Sequence, residues 1–95
     1  MKVKVRSIAL IRSLLGAGEL EVDLADGATI EDLVARLVEI GGPALAPHLA
    51  PPKEESAHAP LRIMVNGRDI TVLGGRRTVL AEGDDVLVFI PIAGG

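Results

Sequence analysis

The sequence predicts one small α+β domain in which four to five strands pack on one main helix. The chain has 95 residues, which is the length of a single domain. One segment repeats its apolar residues at the spacing of an amphipathic helix, and several shorter segments alternate apolar and polar residues as half-buried strands do. The predicted order is strand, strand, helix, strand, short strand, strand, with no internal repeat.

The first two strands are predicted to form a hairpin. Residues 2–11 begin with Val3 and Val5 between charged residues, and ELEVDL at 19–24 alternates in the same way. The intervening segment, LLGAGE at 14–19, contains two glycines and is typical of a turn. We therefore expect a short turn to join the two strands.

The main helix is predicted to begin after Thr29 and to end at the glycines and proline of 41–43. Thr29 is a favourable N-cap, and Asp32 three residues later completes the pattern of a capping box. One apolar stripe follows at helical spacing, formed by Ile30, Leu33, Val34, Leu37 and Val38. A single stripe indicates that the helix covers one side of one sheet.

Residues 43–60 contain five of the six prolines and predict a surface excursion with a short helical turn near Ala44–Leu49. We interpret the excursion as a tolerated insertion. His48 and His58 lie in it, with two glutamates between them. A proline-rich loop does not hold such residues in the rigid arrangement that a metal site needs, so we expect no metal.

The second half is predicted to contain three strands. Residues 61–65 form the first, and Asn66-Gly67 is a strong signal for a hairpin turn. A short returning strand follows at 69–73, and the last strand, VLVFIPI, covers 86–92. Between these two strands, Arg76-Arg77 could contact an acidic loop of a partner protein, although a solvated turn is the simpler interpretation.

The last strand is apolar at every position. A strand that is apolar on both faces is usually covered twice, yet only one helix is predicted here. We expect one face to pack under the helix, formed by Val86, Val88 and Ile90. The residues expected to face outward are Leu87, Phe89 and Pro91. An exposed apolar strip usually marks a contact surface; alternatively, the excursion at 43–60 folds over it.

Composition argues against several classes of function. The net charge is −3 and Phe89 is the single aromatic residue, so neither nucleic acid nor an anionic membrane is expected as a partner. The absence of cysteine excludes disulfides, thiolate metal sites and a cysteine nucleophile, and fits a cytoplasmic protein. We see no export signal and no spanning segment. No nucleophile–base pair stands out, so the chain alone is not expected to be an enzyme.

The C-terminal Gly94-Gly95 carries a more specific chemical meaning. Two residues without side chains have wide backbone freedom and can enter a narrow channel. There they can present the α-carboxylate to the active site of another protein, which is a known mode of recognition. A larger side chain at either position would obstruct approach to the reacting carbonyl.

Several residues in the second half follow the pattern of a known family. In chain order they are Val65-Asn66-Gly67, Leu80, Gly83-Asp84, Val86, Phe89, Pro91, Ala93 and Gly94-Gly95. With them, the chain resembles the MoaD/ThiS family of ubiquitin-like sulfur carriers. In the first half, IRSLLG at 11–16 and TIEDLVARL at 29–37 are similar to the same family. The resemblance covers nearly the whole chain apart from 43–60.

The resemblance implies a β-grasp fold with a mixed sheet and a flexible C-terminal tail at 92–95. It implies that an E1-like adenylating enzyme of the MoeB/ThiF type activates the carboxylate of Gly95, using ATP and Mg²⁺ while this chain binds no cofactor itself. Sulfur then replaces one oxygen to give a thiocarboxylate. The residues expected to contact partners are Leu87, Phe89, Pro91, Ile92 and Ala93, with Gly94 and Gly95 as the reacting end.

The branch of the family decides the destination of the sulfur. A MoaD-like chain would be the small subunit of molybdopterin synthase, bound to a MoaE-like large subunit. The order Phe89-Ile90-Pro91 departs from the Phe-Pro-Pro typical of that branch, and Ser7-Ile8 stands where an aromatic pair is often found. The tail leans towards ThiS, which serves thiazole synthesis, while the length and the long first hairpin favour MoaD. A ubiquitin-like modifier that forms isopeptide bonds, and a binding module with an incidental tail, remain alternatives.

Overall fold

The computed structural model describes residues 1–49 and 61–90, and these residues contain five strands and three α-helices. The strands are β1 (Lys2–Ser7), β2 (Glu19–Asp23), β3 (Arg62–Val65), β4 (Arg68–Asp69) and β5 (Asp85–Phe89). The helices are α1 (Ala9–Leu15), α2 (Ile30–Gly41) and α3 (Ala46–Leu49), with 3₁₀ turns at Ile70–Val72 and Gly75–Arg77.

The five strands form one mixed sheet in the order β2-β1-β5-β3-β4. β1 and β5 lie parallel in the centre, and the other neighbouring pairs are antiparallel. This sheet with α2 packed on it confirms the predicted α+β class and the β-grasp architecture. The two halves of the chain therefore meet along the central pair of strands.

Helix α2 covers one side of the sheet. Its capping box forms as predicted: Thr29 N donates to Asp32 Oδ2 at 2.9 Å, and Asp32 N donates to Thr29 Oγ1 at 3.4 Å. The buried stripe of the helix consists of Ile30, Leu33, Val34 and Leu37. It packs in a core cluster with the inward residues of the sheet, Val3, Val5, Val22, Ile63, Val65, Val86 and Val88.

The predicted tight hairpin at the N-terminus is wrong. β1 ends at Ser7, and helix α1 occupies the segment before β2, although β1 and β2 do pair antiparallel. The reason is the spacing of Ile11 and Leu15, which lie one helical turn apart and are both buried. Gly16 ends α1 in the left-handed conformation, with φ of 81°.

The start of the predicted surface excursion at 43–60 is part of the core. Leu45 and Leu49 have 0% exposed surface, and Leu49 lies in α3. A Cβ atom on Gly41 would lie 2.9 Å from Leu45 Cβ, so the last residue of α2 leaves room for the next segment to pack. Residues 43–49 are therefore anchored to the domain, while the remainder of the excursion lies outside the described residues.

The Asn66-Gly67 turn forms as predicted, but the two strands that follow it are shorter than expected. Asn66 and Gly67 adopt φ of 51° and 84°, as a type I′ turn requires, but β4 is only two residues long. Asp69 caps the following 3₁₀ turn by accepting a hydrogen bond from Thr71 N, and this local contact replaces the predicted strand at 69–73. β5 ends at Phe89, earlier than the predicted 92.

Candidate partner-binding face

Strand β5 presents different chemistry on its two faces. Val86 and Val88 are 0% and 1% exposed on the face under α2, and Ile90 packs partly against the same core. Leu87 and Phe89 alternate with them and are only partly buried. The predicted division into an inward and an outward face is therefore confirmed over the described part of the strand.

The outward residues of β5 belong to a wider apolar patch. In the sheet register, Leu87 lies between Arg6 of β1 and Met64 of β3, and Met64 is also partly exposed. Ile8 follows β1 with an extended backbone and is 51% exposed, and it continues the outward alternation of β1 on the side of the sheet that carries Phe89. We call Ile8, Met64, Leu87 and Phe89 the apolar patch.

Ion pairs between neighbouring strands surround the apolar patch. Arg6 Nε lies 2.9 Å from Asp85 Oδ1, and Arg62 Nη1 lies 2.9 Å from Asp69 Oδ2. On the β2 side, Lys4 Nζ lies 3.3 Å from Glu19 Oε1. Such exposed pairs stabilise the fold little. Their effect is to surround an apolar centre with balanced charge, which is the usual anatomy of a protein–protein interface.

A network of hydrogen bonds fixes the start of β5. Asn66 Nδ2 donates to Asp84 Oδ1 at 3.0 Å, and Asp85 N donates to Asn66 Oδ1 at 3.0 Å. Asp84 Oδ2 also accepts from Ala81 N at 2.8 Å. The adjacent carboxylates of Asp84 and Asp85 are thus engaged in the turns and in the pair with Arg6. These two carboxylates therefore position β5 and the apolar patch, and they have the structural role of a turn.

Asp69 is held in its ionised form at the edge of the open face. The hydrogen bond from Thr71 N, then the one from Thr71 Oγ1 and the one from Arg62, hold the pKa of the Asp69 carboxyl below its ordinary value. In the sheet register Arg62 lies opposite Phe89. Asp69 therefore helps to keep a guanidinium beside the apolar patch.

Five predicted site residues lie outside the described residues: Pro91, Ile92, Ala93, Gly94 and Gly95. The described chain ends at Ile90, directly after the end of β5 that carries Phe89. The chain therefore leaves the sheet beside the apolar patch. His58 also lies outside, and within 1–49 and 61–90 no three side chains of metal-ligating type come together. No helix in these ranges is long and apolar enough to cross a bilayer.

Ile8 and Met64 belong to the patch but are not among the residues that the sequence predicts to contact partners. A signal exists for both: Ile8 continues the outward alternation of β1, and Met64 alternates with the buried Ile63 and Val65. What the sequence could not supply is the register, which pairs Met64 with Leu87 and brings the end of β1 beside β5.

Comparison with known proteins agrees with this geometry. The sequence profile of the ThiS family matches residues 5–95. The chain is 35% identical over 95 residues to small archaeal modifier protein 3 of Haloferax volcanii, with both chains covered completely. It is 36% identical over 96 residues to a protein of Archaeoglobus fulgidus named as a candidate sulfur carrier, again with complete coverage of both.

The fold is also similar to solved structures. One is a Pyrococcus furiosus protein described as a candidate for subunit 1 of molybdopterin converting factor. It is 31% identical, with a TM-score of 0.73, and the match covers 97% of this chain and 99% of that one. Relatives named as a protein modifier and as a candidate sulfur carrier therefore match this chain over its whole length.

Proposed function

Because the chain belongs to the ThiS family of ubiquitin-like sulfur carriers, we propose that it carries sulfur on the C-terminal carboxylate of Gly95 for molybdopterin synthesis. The observation on which this proposal depends is the apolar patch, which lies at the end of β5 where the chain leaves the sheet towards that carboxylate. A partner that docks on the patch would find the reacting group only a few residues away.

The chemistry takes place in the partner, an E1-like adenylating enzyme of the MoeB/ThiF type that uses ATP and Mg²⁺. A carboxylate oxygen of Gly95 attacks the α-phosphorus of ATP, pyrophosphate leaves, and an acyl adenylate forms. Hydrosulfide then attacks the carbonyl carbon and AMP leaves, which gives the thiocarboxylate. This chain supplies the carboxylate and the docking surface, and Gly94 has no side chain to hinder entry into the active site.

The second partner we propose is a MoaE-like large subunit, so that the chain acts as the small subunit of molybdopterin synthase. The likeness to the Pyrococcus furiosus protein supports this destination. The balanced ion pairs around the patch favour partners that bury an apolar centre without leaving a large uncompensated charge. The thiocarboxylate sulfur then attacks a carbon of the molybdopterin precursor and displaces an oxygen, and water hydrolyses the resulting thioester, which leaves the sulfur on the precursor and restores the carboxylate of Gly95.

The test is reconstitution with a purified activating enzyme, ATP, Mg²⁺ and sulfide. Intact mass spectrometry should show one oxygen of this chain replaced by sulfur. Deletion of Gly95 should leave the circular dichroism spectrum unchanged and abolish the mass shift. The chain that carries the thiocarboxylate should then convert the molybdopterin precursor only in the presence of the large subunit. Sulfur transfer by the deletion variant would refute the role of the terminal carboxylate.

Conjugation to lysine is a second candidate, supported by the likeness to small archaeal modifier protein 3. The same acyl adenylate would react with an amine and release AMP, leaving an isopeptide bond. An epitope-tagged chain expressed in its own cells separates the two functions. Conjugates of higher mass that depend on Gly95 and resist thiol reagents would favour the modifier. Rescue of thiazole synthesis rather than molybdopterin synthesis would instead favour the ThiS-like alternative.

A further inference from the structure

A cleft of about 420 Å³ lies at the β3–β4 edge of the domain. The two 3₁₀ turns form one wall and β3 forms the other. Its lining includes the aliphatic side chains of Leu61, Ile63 and Ile70, together with Thr71, Gly75 and Arg76. The cleft is large enough for one aliphatic side chain and the backbone beside it.

The charges that line the cleft leave one net positive charge. Arg62 and Asp69 also line it, but they pair with each other at 2.9 Å. Asp69 additionally accepts hydrogen bonds of 2.9 Å from Thr71 N and Thr71 Oγ1. The Asp69 carboxylate therefore already accepts three hydrogen bonds, two from Thr71 and one from Arg62. Arg76 is the cation that this pairing leaves over.

Arg76 is poorly paired for a partly buried cation. Its side chain is 21% exposed, and the carboxylate of Glu31 on α2 approaches Nη1 only to 3.9 Å. Nη1 is buried and has no hydrogen-bond partner among the described residues. A guanidinium in this position has lost much of its hydration without gaining a close anion. An additional carboxylate in the cleft would improve its electrostatic environment.

The chain segment that forms the cleft carries a net positive charge. Residues 61–81 contain four arginines and one aspartate, a net charge of +3, whereas the whole chain has −3, which leaves −6 on the remainder. Val72 and Leu73, in and directly after the first 3₁₀ turn, are 73% and 38% exposed. The region therefore combines apolar surface with a positive field that attracts acidic partners.

We propose that this cleft binds an acidic segment of a partner protein, with one aliphatic side chain between β3 and the 3₁₀ turns and a neighbouring carboxylate at Arg76. The contact is a second docking surface, joined to the apolar patch through Arg62. It does not depend on the chemistry of Gly95. A partner that uses both surfaces would hold the domain by an apolar contact and a charged one.

The test is an NMR titration of the full-length, ¹⁵N-labelled chain with an acetylated five-residue peptide. The peptide carries one leucine flanked by aspartate and glutamate, with serines at both ends. We expect saturable shifts at Ile70, Thr71, Gly75 and Arg76, with a Kd on the order of 1 mM for so few contacts. Replacing the peptide leucine by serine should weaken binding about tenfold or more, because the aliphatic burial is lost.

Arg76→Gln should weaken binding about tenfold, since it removes a charge-assisted contact, and Arg76→Lys should retain part of it. Arg36→Gln is the matched control, because it removes the same charge from an exposed position on α2. Deletion of Gly94 and Gly95 should not change the Kd, so this result is separable from the test of sulfur transfer. Equal effects of the Arg36 and Arg76 variants would overturn the proposal.

Three further outcomes would also overturn it. The first is the absence of saturable shifts up to the solubility limit of the peptide. The second is a set of shifts centred on Leu87 and Phe89, which would move the contact to the apolar patch. The third is binding that occurs only after residues 51–60 are replaced by ten glycines and serines. That result would mean that the chain's own segment, and not a partner, occupies the cleft.

Discussion

The covered side and the open side of the central sheet are made from alternate residues of the same strands, yet they have opposite requirements. On the covered side, Val86 and Val88 have almost no exposed surface and pack in the cluster around α2. On the open side, Leu87 and Phe89 remain partly exposed among ion pairs. One side of β5 therefore holds the fold together, whereas the other side is left available to a partner.

The largest effect on stability should come from placing the same charged side chain on the covered side and on the open side of β5. Val88→Asp places a carboxylate in the core without a partner, and we expect a loss of about 4 kcal/mol or more in the free energy of unfolding, enough to unfold a marginal domain. Phe89→Asp should cost about 1 kcal/mol because the ring is only partly buried. Urea denaturation followed by circular dichroism measures both.

The same pair of variants also separates folding from docking. Folded Phe89→Asp protein should bind the activating enzyme at least tenfold more weakly, because a charge then lies in the apolar patch. If Phe89→Asp unfolds the chain as Val88→Asp does, the two sides of β5 do not have the separate roles assigned to them.

The second prediction concerns the end of α2, on the covered side. Gly41→Ala should destabilise the domain by about 1–2 kcal/mol, since overpacking against the buried Leu45 outweighs the better helix propensity of alanine. Gly18→Ala is the matched control, because its Cβ would meet only the flexible side chain of Arg12, at 3.1 Å. A variant at Gly41 as stable as wild type would show that the α2–α3 junction can open without cost.

The parts of this comparison that the sequence could predict are those set by local spacing. The capping box of Thr29 and the apolar stripe on α2 each depend on residues a few positions apart. The alternation that separates the buried Val88 from the partly exposed Phe89 is equally local. Helix α1 was missed because it is only seven residues long and follows directly on a strand. Propensity decides little over so short a segment.

The sequence predicts those residues of the candidate site that one strand determines. It does not predict those that depend on several strands. Leu87 and Phe89 follow from β5 alone, but Met64 and Ile8 join them only through pairing of strands that are distant in the sequence. The partial burial of Arg76 depends in the same way on α2, which supplies Glu31. Register and packing between distant segments are properties of the whole fold, so a local pattern does not contain them.

The third prediction tests the link between the two sides. Asn66→Ala removes two side-chain hydrogen bonds at the start of β5 and places alanine at a positive φ of 51°. We expect a loss of about 1–2 kcal/mol in the free energy of unfolding, since exposed hydrogen bonds contribute modestly and Asn tolerates this conformation better than Ala. Asn66→Asp, which keeps one acceptor and tolerates positive φ, should lose less than Asn66→Ala when urea denaturation is measured at a salt concentration that screens its repulsion from Asp84.

The smallest expected effect lies on the open side and depends on pH. Because the pKa of Asp69 is lowered in the folded state, its ionised form stabilises the fold above the unfolded pKa of about 4. This contribution should disappear as the pH falls from that value through the lower folded pKa. Its size should stay below about 1 kcal/mol, because the interactions of Asp69 are close to the surface.

Asp69→Asn should therefore reduce the stability difference between pH 6 and pH 3, measured by urea denaturation, by no more than about 1 kcal/mol. Asp26→Asn is the matched control, since that carboxylate is 96% exposed and its ion pair with the N-terminus spans 3.5 Å. An Asp69 variant with the pH dependence of wild type would mean that the hydrogen bonds from Thr71 do not distinguish the folded from the unfolded chain. Asp69 would then contribute nothing measurable to folding, in contrast to Val88 on the covered side.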